Sequence, residues 1–179
     1  MKTLKNCILA FILLSVATAC KKEDKTSDPS SQQDNTEPAV QVVFDMVVNK
    51  DDTFELFYTE DESLNFPPAN SVRVDVKGKP ESQEIIFNLP DSAQIGNLRF
   101  DPGQNPDQDK MTIVKLIIKQ GDKEMELSAA DFFKYFQATD YVKVDLKTLS
   151  FTSVPLQNVY DPILYGNTTF MQALRELKK

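Results

Sequence analysis

The chain has 179 residues, a formal net charge of −7, no histidine, no tryptophan and two cysteines. Without histidine there can be no Ser-His-Asp or Cys-His nucleophilic site and no His-ligated metal. The acidic balance argues against nucleic acid, whose phosphates call for basic patches, and against electrostatic attraction to an anionic membrane surface.

Met1 to Ala19 falls into three parts: a basic start at Lys2 and Lys5, an apolar run from Ile8 to Leu14, and the small stretch Ser15-Val16-Ala17-Thr18-Ala19 ahead of Cys20. This is the layout of a secretory signal peptide, and the apolar run is shorter than the roughly 20 residues that cross a bilayer as a helix. Val16 to Cys20 resembles the lipobox of bacterial lipoproteins, with Ala17 where that family most often has Leu. The resemblance implies cleavage after Ala19, diacylglycerol on the Cys20 sulfur and a membrane held through that lipid; several acyl chains on one residue anchor stably where one holds marginally. An ordinary signal peptide cut after Ala19, leaving a free thiol, is the alternative. Removing 19 of the 179 residues leaves 160, and losing two lysines takes the formal charge from −7 to −9. Cys7 leaves with the leader, so apart from Cys20 the mature chain has no thiol for a disulfide, a nucleophile or a thiolate metal site.

Lys21-Lys22-Glu23-Asp24-Lys25 resembles the export tag of surface-displayed lipoproteins of some Gram-negative bacteria; a solvated charged linker is the plainer reading. The expected address is therefore the Gram-negative outer membrane, with display at the cell surface left open. Residues 20–38 read as the lipidated cysteine and a disordered linker, rich in Ser, Asp, Gln, Thr and Pro. As a coil the linker's ends would lie ~25 Å apart, and fully extended it would reach ~60 Å.

From Ala39 the pattern turns to period two, and residues 39–179 read as one domain. Val40, Val42, Phe44, Met46 and Val48 form a half-buried strand, and a turn at Asn49 to Asp52 leads to a second strand through Phe54, Leu56 and Tyr58. Thr59 to Asn70 is a loop; Val72, Val74 and Val76 make a third strand; Gly78-Lys79-Pro80 turns; Glu84 to Leu89 makes a fourth. Ile95 to Phe100 is a short strand. Met111 to Ile118 is apolar on both faces, which predicts a central strand packed above and below. Asp122 to Leu127 pairs with it through Gln120-Gly121. Ser128 and Asp131 have capping-box spacing, and Phe132, Phe133 and Phe136 follow at helical intervals, which predicts a short helix near 128–137. Strands through Val142 to Leu146 and Leu149 to Val154 follow. A C-terminal helix capped by Thr168 or Thr169 closes the chain, with Phe170, Leu174 and Leu177 on one stripe. Eight or nine short strands with no strand-helix alternation predict a mostly β fold, a β-sandwich or barrel.

Phe54 to Tyr58, Ile85 to Pro90 and Leu98 to Gly103, in that order and followed by an apolar strand, resemble a β-sandwich module attached to some bacterial glycosyltransferases and cell-surface polysaccharide proteins. The resemblance spans about Val42 to Pro155. It implies a jelly-roll-like, carbohydrate-binding-module-like sandwich and carries no transferase activity, since no transferase catalytic segment is present.

Three constellations bear on chemistry. Asn105, Asp107 and Asp109 are spaced like the first three ligands of a calcium loop, but Lys110 stands where that loop needs Gly and Leu116 where it needs the bidentate Glu. A calcium site using Asp101 and a backbone carbonyl is the remaining metal candidate, against a solvated acidic turn. Glu60, Asp61 and Glu62 are the candidate carboxylates for glycoside hydrolysis, with nothing in their spacing to set them apart from surface charge. Tyr141, Tyr160 and Tyr165 are the candidate aromatic platforms for a sugar, against ordinary half-buried tyrosines. The expected function is a non-enzymatic lipoprotein whose sandwich binds glycan or another envelope component. The alternatives are a protein-interaction subunit of an envelope complex that docks through its tail helix or a sheet edge and, more remotely, a carboxylate hydrolase.

Overall fold

The structure, a computed structural model, describes residues 40–178. The leader, the Ala19 cleavage position, Cys20 and the linker lie outside the described residues.

Two antiparallel sheets pack face to face as a β-sandwich. The first runs β4 (Lys79–Asn88), β1 (Val40–Val48), β6 (Met111–Gln120), β10 (Ser150–Ser153), β9 (Val142–Asp145), and β7 (Lys123–Ser128) shares the far edge of β6 with β10. The second runs β3 (Ser71–Val76), β2 (Asp52–Thr59), β5 (Asn97–Asp101), β11 (Leu164–Gly166), β8 (Phe136–Ala138). The expected β-sandwich is what the chain forms.

Alternation in β1 sends Val42, Phe44, Met46 and Val48 into the core, where all four are fully buried. β2 and β5 face them with Phe54, Leu56, Leu98 and Phe100. Phe44 and Phe100 stack at 4.2 Å between centroids and so join the two sheets, with Phe54 and Phe87 edge-on to Phe100. Such pairs add about 0.5–1.5 kcal/mol each beyond their buried area.

The double-sided apolarity of β6 has a different cause from the one expected. Asp45 pairs with Lys115 and Met46 with Ile113, which leaves Val114 as the extra residue of a β-bulge. The bulge returns Ile113 and Met111 to the core and leaves Val114 43% exposed on the outer face. β6 is central, as predicted, but it is not packed above and below along its length. The β6–β7 hairpin turns through Gly121 at φ 64, the position where a two-residue turn favours glycine.

Four local readings are corrected. The turn expected at Gly78-Lys79-Pro80 is largely strand, since β4 begins at Lys79; Pro80 is tolerated because β4 lies at the sheet edge and needs no inner ladder bond from that nitrogen. The short helix α1 (Ala129–Tyr135) stops before Phe136, which opens β8 and stacks on Phe132 at 4.6 Å. Its Ser128 cap accepts from the Asp131 N–H, and the Ser128 hydroxyl donates to the Asp131 carboxylate. The stretch between Val154 and the C-terminal helix, expected as loop, contributes β11. The C-terminal helix α2 (Thr168–Leu177) is capped by Asn167, whose Oδ1 accepts from Thr169 and Phe170, rather than by either threonine.

Asn167 also donates to the Lys134 carbonyl, which fastens the start of α2 to the end of α1. Phe170 and Leu174 are buried in the domain's own core, and the apolar stripe of α2 is used there. Among the described residues no helix is long and apolar enough to cross a membrane.

Candidate functional site

Period-two alternation that buries Phe54, Leu56, Leu98, Phe100 and Leu164 must turn their neighbours outward. On the outer face of the second sheet this sets Glu55 opposite Asp101, and Phe57 and Tyr165 on either side of Arg99. Arg99 grips Asp101 two-handed, Nε to Oδ1 at 2.8 Å and Nη2 to Oδ2 at 2.6 Å, and lies 4.7 Å from the centre of the Phe57 ring. Arg73 on β3 pairs with Glu55 at 2.9 Å.

Of the cavities that open on this face, two adjoin the Arg99–Asp101 pair. A cleft of about 420 Å³ is lined by Thr53, Glu55, Asp101, Tyr160, Asp161 and Pro162, with the turn at Gly103, Gln104 and Pro106 as its rim. A second cavity of about 290 Å³ is lined by Leu64, Phe66, Arg99, Thr139, Ile163 and Tyr165. Burial raises the Asp101 carboxyl above the usual aspartate value; the Arg99 bond and charge oppose this, and Asp161 and Glu55 add to it. Burial also works against the charge on Arg99, but the bond to Asp101 and the fields of Asp101, Asp161 and Glu55 outweigh it and raise the pKa. Burial lifts the Tyr160 phenol too; the nearby Ser153 hydroxyl opposes this and the Asp52 charge adds to it.

The rim of the cleft is organised from outside its own acidic residues. Asp52 Oδ1 accepts the backbone N–H groups of Thr53 (2.9 Å), Gln104 (2.7 Å) and Asn105 (3.1 Å), and its Oδ2 accepts from Gln108 Nε2 (3.1 Å). Gly103 sits at φ 95, and a Cβ there would meet the Asp52 carboxylate at 2.2 Å, so this turn needs glycine twice over. Buried Gln108 completes the frame: its Oε1 accepts from Lys50 and Asp109, and its Nε2 also donates to the Lys50 carbonyl. The Tyr160 hydroxyl donates to the Asn105 carbonyl at 2.9 Å, which ties the rim to the far wall.

The second cavity depends on Asn97, a fully buried amide. Its Nδ2 donates to the carbonyls of Gly166 (3.1 Å) and Ser63 (3.4 Å), and its Oδ1 accepts from Leu98. These bonds hold the loop bearing Leu64 and Phe66 against β11. A Cβ on Gly166 would strike Phe170 at 2.2 Å and Asn97 at 2.3 Å, so β11 can approach this closely only with glycine there.

The residues singled out by sequence fall as follows. Tyr160 lines the larger cleft and Tyr165 the smaller cavity, on one sheet face. Tyr141 lies in the turn before β9, half-buried, and lines neither. Of the calcium candidates, Asp101 faces Arg99, and Asp109 pairs with Lys50 Nζ at 3.1 Å. The Lys50 ammonium also donates to the Asp107 carbonyl, and Asn105 Oδ1 accepts from the Asp107 N–H. Among the described residues no group of three or more Asp and Glu side chains is placed to hold a metal ion. Glu60, Asp61 and Glu62 do not converge: Asp61 accepts from Ser63, and Glu62 pairs with Arg175 on α2 at 2.5 Å.

Glu55, Phe57, Arg99 and Asp161 carry no motif that marks them as site residues. The signal for the first three was their phase. All sit on the polar phase of strands whose other phase is core, and an aromatic such as Phe57 on that phase marks a face that is more than solvated. Asp161 gave no signal, since it lies in an irregular segment.

Fold and site together define an antiparallel sandwich with two cavities on the outer face of one sheet, parted by an Arg–Asp pair. Compared with protein-family models, curated proteins and solved structures, the chain matches none.

Proposed function

We propose that this chain is a Gram-negative outer-membrane lipoprotein, anchored through Cys20, whose sandwich binds glycan on the outer face of the second sheet without turning it over. The observation that carries the reading is the company of side chains on that face. Phe66, Tyr160 and Tyr165 supply apolar surface for sugar rings, and Glu55, Asp101, Asp161 and Arg99, the last seated over Phe57, supply acceptors and donors for hydroxyls. A glycan array probed with the mature chain, made without its leader and with Cys20→Ser, tests it. Binding that falls with Tyr165→Ala supports the reading, and silence across the array refutes it. Release of reducing ends from any bound polysaccharide would replace binding by hydrolysis.

A second reading, docking of an envelope protein, is favoured by the outer face of the first sheet. There Ile86 and Val114 stand 41% and 43% exposed, while Val43 and Ile117, in the same row as Ile86 across β4, β1 and β6, are themselves buried. Ile86→Glu, followed by crosslinking in intact cells, tests it: a crosslinked partner that the substitution removes would support this face, and an unchanged pattern would rule it out.

A further inference from the structure

We propose that the two cavities on the outer face of the second sheet form one elongated site, and that its ligand is a neutral oligosaccharide of at least two residues lying along β5 and β11. The inference rests on the glycan reading above and deepens it.

Continuity comes first. Arg99 lines the smaller cavity, and the carboxylate it holds, Asp101, lines the larger cleft. The opposite wall is also one piece of chain: Asp161 and Pro162 face the cleft, while Ile163 and Tyr165 face the cavity. Two residues along a strand is ~7 Å, so the two hollows are neighbours along the sheet rather than separate features.

Division of labour comes second. The cleft carries three carboxylates and the Tyr160 phenol, which are acceptors for hydroxyl groups. The cavity carries Leu64, Phe66, Ile163 and Tyr165 and no carboxylate. A pyranose has a C–H face that suits an aromatic wall and a rim of hydroxyls that suits carboxylates. With the two chemistries side by side along β5, one ring meets only one of them, whereas a chain of rings meets both.

Charge comes third. Arg73 and Arg99 are already engaged by Glu55 and Asp101, and Asp161 is a third carboxylate on the same cleft. Those five groups leave one negative charge facing the ligand and no free cation to meet a uronate or a sulfate. The face therefore selects neutral chains over polyanions.

Titration calorimetry of the Cys20→Ser mature chain separates the outcomes. The probes are glucose, cello-, malto- and manno-oligosaccharides of one to six residues, with polygalacturonate and heparin as polyanions. A neutral series should gain about tenfold in affinity between one residue and three and then level off, since one added aromatic contact is worth roughly that factor. Tyr165→Ala should return the trisaccharide to monosaccharide affinity, and Tyr165→Phe, which keeps the ring, should not. Asp161→Lys should admit polygalacturonate. A monosaccharide that binds as tightly as the trisaccharide, or a polyanion that binds more tightly than every neutral chain, overturns the inference and leaves glycan binding standing. No heat with any sugar overturns both.

Discussion

Removing the Asp52 carboxylate is the sharpest perturbation of the cleft's rim. Asp52→Ala leaves three backbone N–H groups without this acceptor and the Gln108 amide with the Lys50 carbonyl alone. Bonds to a charged acceptor are worth about 1.5–3 kcal/mol each where they are sheltered and far less where water can replace them. The Gln104 bond is exposed, whereas those to Thr53, Asn105 and Gln108 are part-buried, so the loss falls short of the full sum; about 2–4 kcal/mol is expected. It should also be local. Amide exchange at Gln104 and Asn105 should accelerate strongly while Val42, Phe44 and Leu116 in the central strands keep their protection. Urea unfolding gives the total, and hydrogen exchange read by mass or NMR gives the location. Asp52→Asn, which keeps an acceptor oxygen, should recover part of the loss. Unchanged exchange at residues 104 and 105 in Asp52→Ala would refute the frame described here. So would a rise in the wild-type melting temperature on adding calcium, because the loop would then be organised by a cation and not by Asp52 and Gln108.

Three further outcomes follow from the same structure. Phe100→Ala removes the ring that joins the sheets, and a loss of about 3–5 kcal/mol is expected by chemical denaturation; less than about 1 kcal/mol would mean the sheets do not meet there. Asp51, Asp61 and Asp145 are held below the usual aspartate value, chiefly by hydrogen bonds from Lys77, Ser63 and Thr148 respectively. The stability they contribute is complete above the unfolded aspartate value and is lost as pH falls through their lowered ones. Asp101 is raised, so its contribution has the opposite sign: present below the unfolded value and lost as pH rises through the folded one. Carboxyl NMR titration should place Asp101 above the other three, and the reverse order would contradict the burial argument. Cys20→Ser should release the protein from membranes without changing its melting temperature; a variant that stays membrane-bound would dispose of the lipid anchor.

Much of the fold was readable because long strands with one buried face announce themselves. β1, β2 and β3 alternate cleanly, and the paired apolar residues of β6 marked it as central. What escaped was short or was decided at a distance. β8 and β11 have three residues each, too few for a period to show, and β8 was hidden because Phe136 falls at helical spacing from Phe132. The bulge at Val114 depends on the register in which Lys115 meets Asp45 and Ile113 meets Met46, which no local pattern displays. The cap on α2 went to Asn167 because its amide also reaches Lys134, a tertiary contact. Within the candidate site, Tyr160 and Tyr165 were legible as candidate aromatic platforms. Their meeting on one face with Arg99 and Asp101 required the register of β5 and β11. The acidic turn at residues 101–109 drew attention to its own carboxylates, while the group that orders it, Asp52, lies about fifty residues earlier in the chain.

The central claim is that sugar binds the outer face of the second sheet. The most direct measurement is an NMR titration of the isotope-labelled mature chain with the best array ligand, following every amide from Val40 to Lys178. Shifts should be confined to Glu55, Phe57, Arg99, Asp101 and residues 160–165, and should saturate together with one affinity. Shifts centred instead on Val43, Ile86 and Ile117, or scattered without saturation, would contradict that claim.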